Sequence, residues 1–257
     1  MAVRYDLEGL RLLVMGASSG VGREIGQLAC RSGARVAFAA RRRDKLEAAV
    51  ARAESEALAV ACDATSSDDC ERCVAEVVKH FGGLDAMVYA AGMSPLRMLD
   101  RAREEHWRPV LDTNVMGASL VSAAVLPALR EAEGRALYIS SYSVRNVLPG
   151  LSLYRVSKVA LDALVECWRT EFPEVGFTRV VVGNTAGTEF AEGWDPEETR
   201  RTLEEWARRG VFPSNTMMPL DVLAEAVLSV LAVRGYVDDI AVMPRSQDAT
   251  MESPHDV

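Results

Sequence analysis

Tyr154 and Lys158 stand four residues apart in "YRVSK", a spacing that puts both side chains on one face of a helix. A phenol ordinarily ionises near pH ~10, about three units too high to exchange protons readily at neutrality. A neighbouring ammonium favours the phenolate and lowers that value. The pair can therefore give a proton to a carbonyl oxygen or take one from an alcohol. Ser141 lies thirteen positions upstream, at the end of an apolar run, where its hydroxyl can bond the same oxygen. For Tyr154 alone, an ordinary helix tyrosine is the plain alternative.

A second constellation is "VMGASSGVGREIG", Val14 to Gly26. Gly16-Ala17-Ser18-Ser19-Gly20 fits G-x-S-x-G, the strained turn that exposes a nucleophilic serine in hydrolases. With Val21 and Gly22, the same residues also make a glycine-rich turn that admits a nucleotide phosphate and opens a helix. The hydrolase alternative needs an oxyanion loop after an earlier strand, but only one strand precedes Ser18. It also needs a histidine at a strand end, whereas His80, His106 and His255 fall beside a helix end, early in a helix, and in the tail. The phosphate alternative requires only that the first strand run into Gly16 and that helix amides follow.

The glycine spacing is G-x-x-x-G-x-G, and with it the chain resembles the short-chain dehydrogenase/reductase family. The resemblance extends over nearly the whole sequence. It rests above all on Tyr154-x-x-x-Lys158, with Ser141 and with Asn114 in "DTNVMG" at the family's positions. It implies catalytic roles for Asn114, Ser141, Tyr154 and Lys158, the tyrosine moving a proton while hydride passes to or from a nicotinamide ring. It implies that Lys158 also holds the ribose and that Asn114 anchors a water relay. By the same resemblance Gly16, Ser18, Ser19, Gly20, Val21 and Gly22 line the phosphate turn, and Asp63-Ala64 of "CDAT" lies near the adenine. Ala91 and Gly92 form the floor, and Thr188 meets the carboxamide.

The cofactor is read at the end of the second strand, "AFAARRRDKL". An acid there would bind free ribose hydroxyls and repel a phosphate. Ala40 stands in its place, followed by guanidinium groups suited to a phosphate. NADP(H) is expected, with Arg41 as first and Arg42 as second partner. A basic start to a surface helix would explain the arginines but not the missing acid. Two departures from the family touch this bed: Tyr89-Ala90-Ala91-Gly92 replaces N-N-A-G, and Gly183-Asn184 replaces Pro-Gly.

The elements that must position these groups are legible as alternating short apolar runs and amphipathic stretches. Strands are expected at Leu10–Met15, Arg35–Ala40, Leu58–Cys62, Ala86–Ala91, Ala136–Ser141, Phe177–Val182 and Ile240–Met243. Helices are expected at Gly22–Ser32, Asp44–Glu56, Asp68–Phe81, Tyr154–Thr170 and Asp221–Val233, with Arg103–Ala132 mostly helical. This order predicts a single-domain α/β fold over residues 1–257, a doubly wound parallel sheet. The segment 188–218 breaks the rhythm with "DPEETRRTLEEWARRG", flanked by Phe190, Trp194, Phe212, Met217 and Met218. A substrate lid and an ordinary surface excursion fit it equally. A frayed tail is expected over 246–257.

The chain has 257 residues, 49% of them apolar, and a net charge of −8, which disfavours nucleic-acid and anionic-membrane partners. No apolar run approaches a membrane span and the first residues lack a signal-peptide core, so a cytoplasmic location is the default. Cys70-x-x-Cys73 reads as two small helix residues, and no metal site is expected. The substrate is expected to be a small, moderately apolar ketone, aldehyde or alcohol, from the segment 188–218 and from Tyr142, Val144 and Leu148. "SLVSAAVLPAL" and "VALDALVECW" suit a homodimer or homotetramer, although buried helices predict the same pattern. Two rival functions remain: a cofactor sensor without turnover, against which the complete catalytic set argues, and a hydrolase using Ser18.

Overall fold

Short apolar runs without polar alternation are stable as strands only when both faces are covered. In the computed structural model, which describes residues 5–211 and 216–245, these runs form one parallel sheet. Its strands are β1 (Arg11–Met15), β2 (Arg35–Ala40), β3 (Ala57–Ala61), β4 (Ala86–Tyr89), β5 (Arg135–Ile139), β6 (Gly176–Val182) and β7 (Asp239–Val242). They are ordered β3-β2-β1-β4-β5-β6-β7. The chain winds outward in opposite directions from β1 and β4, and the crevice beyond their carboxyl ends is where such sheets take ligands.

Helices α1 (Gly20–Arg31), α2 (Arg43–Val50) and α8 (Leu220–Ala232) cover one face. Val14, Phe38, Val88, Leu137 and Val180 are buried there against Ile25, Ala29, Leu223 and Val227. Helices α3 (Ser67–Phe81), α5 (Gly117–Glu131) and α6 (Ser152–Glu171) cover the other. There Leu13, Met15, Met87, Tyr89 and Tyr138 meet Val77, Val121, Val125, Leu161 and Val165. Each aliphatic side chain so removed from water contributes roughly 1.5–3 kcal/mol. The remaining helices, α4 (Glu104–Leu111) and α7 (Pro196–Arg209), belong to the site end of the molecule.

Three local outcomes differ from the sequence pattern. Helix α2 stops at Val50 rather than Glu56, because the following residues turn back to the sheet. The Ser55 hydroxyl bonds the Ala34 carbonyl and Glu56 pairs with Arg35 at 2.6 Å. The stretch Arg103–Ala132 is helical but interrupted by a wide π turn, Asp112–Met116, between α4 and α5. Taken as one helical stretch, Glu104–Glu131 is 28 residues long and meets a bare length-and-composition criterion for crossing a membrane. That corrects the expectation from sequence, although Val121, Val125 and Leu129 are spent on the core. Phe212 and the tail expected over 246–257 lie outside the described residues.

Gly16 ends β1 at φ +89°, and a Cβ there would lie 2.4 Å from the Ala91 nitrogen. Gly82, which ends α3 at φ +76°, has nothing within 4 Å of the same position. Gly82→Ala is expected to cost only the left-handed backbone penalty, about 1 kcal/mol. Gly16→Ala adds a backbone collision and is expected to cost about 3 kcal/mol or more. Urea unfolding of the two variants checks this; equal losses would show that the strand ends part freely.

Candidate active site

The glycine turn, the catalytic helix and the segment after β6 meet at the carboxyl end of the sheet. Past Gly16 the chain enters α1 so closely that a Cβ on Gly22 would lie 2.5 Å from the Gly16 carbonyl oxygen. Ser19, at the N-cap in extended conformation, makes no side-chain bond into the helix. The first-turn amides, Val21 and Gly22 among them, have no intrahelical acceptor. The Ser18 hydroxyl accepts from Arg42 Nη2 at 2.8 Å and Nε at 3.2 Å, and Ser19 accepts from the same Nη2 at 2.9 Å. The partner of Ser18 is thus a guanidinium and not an imidazole. His80 pairs instead with Glu56, and the His106 ring accepts from the Arg103 amide. His255 lies outside the described residues. Neither described histidine meets Ser18 to serve the nucleophile alternative as a base.

Arg42, ranked second from sequence, is the arginine that reaches the turn. Arg41 is exposed and lies close enough to Asp63 to help hold that carboxyl below its ordinary range. The larger causes are hydrogen bonds to Asp63 from the Thr65 amide at 3.0 Å and hydroxyl at 2.8 Å. Ala64 is buried and its carbonyl takes the Cys70 thiol. Cys70 and Cys73 are both buried on α3, as two small helix residues should be, and no metal-holding cluster occurs among the described residues.

Helix α6 brings Tyr154 and Lys158 under the ends of β4 and β5. Lys158 Nζ donates to the Ile139 carbonyl at 2.7 Å and lies 5.8 Å from the centre of the Tyr154 ring. Ser141, two residues past β5, accepts from the Ser143 amide at 3.1 Å and lies near enough to the phenol to favour its ionised form. The expected lowering of the tyrosine is not what results. Burial pushes Tyr154 up to about 12, against the influence of the Ser141 hydroxyl, and burial pushes Lys158 down to about 8, against the charge of Asp162. Desolvation disfavours both charged forms, and it is the largest cause of both shifts. The phenol therefore holds its proton.

Asn114 lies in the π turn, fully buried. Its carbonyl oxygen accepts from the Met93 amide at 2.9 Å, while its amide nitrogen donates to Met93 O at 2.9 Å and Ser157 Oγ at 2.8 Å. Ser157 in turn donates to the Tyr154 carbonyl at 2.7 Å. A Cβ on Gly92 would sit 3.4 Å from Asn114 Oδ1 and 3.6 Å from Lys158 Nζ, so the Ala91-Gly92 floor passes between them. The family departures are accommodated locally. Tyr89 extends its hydroxyl to the Thr113 carbonyl at 2.6 Å, in space that a Cβ on Gly117 would fill. The Asn184 carbonyl takes the Met218 amide at 2.8 Å, continuing β6 into an isolated bridge, Thr185 with Met218.

Thr188 lies against the turn, 3.7 Å from where a Cβ on Gly20 would stand. Glu189 accepts from Ser19 Oγ at 2.6 Å, Arg42 Nη2 at 2.7 Å and Lys45 Nζ at 3.1 Å. Phe190 sets its ring edge-on to Tyr154 with centres 5.2 Å apart. The Ser94 hydroxyl donates to its carbonyl at 2.5 Å, and Trp194 Nε1 donates to the Ser94 carbonyl at 2.6 Å. Helix α7 is held by Trp206, buried with Leu96 and Leu151, and by Glu198, whose carboxylate meets Arg101 at 2.8 Å. Sequence reasoning missed Ser157, Tyr89 and Glu189. Ser157 carried a weak signal, standing between the tyrosine and lysine of the motif. Glu189 carried none, because its partners are remote in the chain.

The outward first-turn amides fit the diphosphate of a dinucleotide, since they follow a turn too tight for any Cβ at Gly16 or Gly22. Comparisons agree with the geometry. Residues 11–199 match the family described as short chain dehydrogenase. 11-beta-hydroxysteroid dehydrogenase 1A of Arabidopsis thaliana is 34% identical over 194 residues, 73% of this chain and 55% of that protein. 11-beta-hydroxysteroid dehydrogenase A of Sesamum indicum is 32% identical over 244 residues, 92% of this chain and 70% of that one. This chain thus spans little more than half the length of the Arabidopsis relative. Among solved structures, an alcohol dehydrogenase from Thermococcus sibiricus, complexed with 5-hydroxy-NADP, superposes with a TM-score of 0.78 at 25% identity, covering 94% of this chain and 98% of its own. A short-chain type dehydrogenase/reductase from Mycobacterium marinum gives 0.80 at 26% identity, covering 93% and 95%. With its parallel sheet, glycine turn and Tyr154–Lys158 helix in register, the chain belongs to the short-chain dehydrogenase family.

Proposed function

We propose that the protein is an NADP(H)-dependent oxidoreductase that interconverts a ketone or aldehyde and an alcohol. The observation that carries this reading is the convergence of Ser141, Tyr154 and Lys158 a short way from Arg42 on Ser18. A bound nicotinamide supplies or accepts the hydride. Tyr154 holds the transferable proton on its phenol oxygen, and Ser141 orients that oxygen toward the substrate. Lys158 presents its ammonium to the ribose side, and Asn114 fixes the backbone that both rest on. Phe190 covers the phenol and keeps water from it.

Arg42, and Arg41 beside Asp63, support NADP(H) over NAD(H). Exposed Met93, Tyr142 and Phe190 on the loops around Tyr154 support a moderately apolar substrate, and the 188–211 segment serves as its lid. The hydroxysteroid relatives are consistent with such a substrate. Exposed Leu111, Met116, Val156 and Val159 support a homodimer or homotetramer, which light scattering of the purified protein tests. A cytoplasmic location is proposed from the acidic charge and free thiols; fractionation of the native host checks it.

NADPH and NADH titrations of wild type, Arg42→Ala and Arg41→Ala test the cofactor. Arg42→Ala is expected to weaken NADPH by roughly tenfold or more, the worth of a charge-assisted pair, and to leave NADH nearly unchanged. Preference of the wild type for NADH would overturn NADP(H) within the same family. Tyr154→Phe is expected to lower turnover on a ketone panel by at least ~10²-fold, the usual share of a general acid, while keeping NADPH binding. Undiminished turnover would sink the proton-transfer role, and no turnover in the wild type would favour the sensor.

Lys158 also sets a pH signature. Its folded pKa of about 8 lies below the ordinary 10.5, so the buried ammonium penalises folding fully below pH 8. The penalty fades as pH rises from about 8 to 10.5. Lys158→Met is therefore expected to gain more stability over wild type at pH 7 than at pH 10 in denaturant titrations. A pH-independent difference would show that the lysine is neutral or solvated.

A further inference from the structure

Glu189 occupies a place that its sequence neighbourhood does not explain. Its two carboxylate oxygens gather Ser19 Oγ at 2.6 Å, Arg42 Nη2 at 2.7 Å, Arg42 Nη1 at 3.5 Å and Lys45 Nζ at 3.1 Å. These donors come from the N-cap of α1, the end of β2 and the first turn of α2, and they close around one anion. A charge-assisted donor set of this kind is what a phosphate requires. The carboxylate is held down to about 2, chiefly by the Arg42 bonds, so it is an anion at every working pH.

We propose that Glu189 is a specificity-determining residue, an internal competitor for the 2′-phosphate of NADP(H), whose displacement frees the segment that covers Tyr154. The proposal rests on the NADP(H) reading above. Arg42, Ser19 and Lys45 cannot serve Glu189 and a phosphate together. A phosphate dianion brings more charge and a third acceptor oxygen and displaces a single carboxylate from the same donors. A ribose without that phosphate offers hydroxyls only, and leaves Glu189 where it is.

The displacement reaches the chemistry through one peptide link. Phe190 follows Glu189 directly, and its ring stands 5.2 Å from that of Tyr154. Adjacent Cα atoms are about 3.8 Å apart, so a backbone displacement that carries Glu189 away from Arg42 also shifts Phe190 or its carbonyl bond to Ser94. Trp194, 5.7 Å from Phe190 between ring centres and bonded to Ser94, lies in the same segment and reports its movement. Phosphate binding and exposure of Tyr154 are thereby coupled, each favouring the other.

The test uses cofactor fragments without a nicotinamide. Calorimetric affinities of 2′,5′-ADP and 5′-AMP are measured for wild type, Glu189→Gln and Glu189→Ala, and Trp194 emission is followed against Trp194→Phe. Removing a competitor that holds the site about nine-tenths of the time raises affinity roughly tenfold. Both Glu189 variants are expected to gain that much for 2′,5′-ADP and less than about twofold for 5′-AMP, whose phosphate lies elsewhere. In wild type, 2′,5′-ADP shifts Trp194 emission and 5′-AMP does not. Unchanged 2′,5′-ADP affinity in both variants, with NADPH still bound in preference to NADH, overturns the competitor and leaves the cofactor assignment standing. Equal gains for both fragments overturn the 2′-phosphate as the displaced partner. Failure of wild type to bind NADPH or 2′,5′-ADP overturns the NADP(H) reading itself.

Discussion

The Asn114 amide ties together three parts of the chain: its own π turn, the loop after β4 and helix α6. Its oxygen and nitrogen take both backbone groups of Met93, and the nitrogen also holds Ser157 on α6. A buried amide left without such partners costs about 1–3 kcal/mol, so the loop after β4 and the helix must keep their relative position. Ser157 extends the grip to the carbonyl of Tyr154. The phenol is thus aimed by a network whose centre is neither on its own helix nor on the strand above it. Tyr89 supports that centre from below through Thr113, with a hydroxyl that replaces the shorter polar groups this region usually carries. The wide turn Asp112–Met116 is what presents the Thr113 carbonyl and the Asn114 side chain together, in keeping with the association of π turns with functional sites.

Around this frame burial decides the charge states. Tyr154 and Lys158 stand 5.8 Å apart, ring centre to ammonium nitrogen, and each is pushed toward its neutral form. The reason is the cover: Phe190 closes over the phenol, and the lysine spends a donor on Ile139. Asp162, one turn beyond Lys158 and bonded to Ser140 and Arg179, opposes the loss of the ammonium without matching the cost of desolvation. Access to the phenol and the reactivity of the phenol are therefore set by the same few side chains.

Much of this was legible in the residues. Strand positions follow from short apolar runs such as "RVAFAA" set between longer amphipathic stretches, and Tyr154, Lys158, Ser141 and the glycine turn declare themselves by spacing. The π turn did not, since "LDTNVMG" has the composition of ordinary helix and its widening comes from tertiary bonds to Tyr89 and Met93. The end of α2 was misjudged because charge pairing continues past Val50 although the chain must return to Ala34 and Arg35. The effect of Lys158 on Tyr154 was misjudged because spacing reveals proximity and says nothing of solvent. Glu189 was invisible for a simpler reason: it meets Ser19, Arg42 and Lys45 only after the sheet has brought together segments some 144–170 residues apart.

Helix α7 is capped by Asp195 and by a left-handed Gly210, and it carries its own ion pairs, Arg200 with Glu204 and Arg201 with Glu197. It docks through Trp206 onto Leu96 and Leu151, and through Glu198 onto Arg97 and Arg101, all of them outside the sheet strands. An element that is stabilised within itself and seated only on connecting segments can be exchanged without repacking a single strand. Glu189 and Phe190, which precede this helix, stay tied to Arg42 and Tyr154 and do not share that freedom. Variation confined to α7 therefore leaves the packing of both sheet faces untouched.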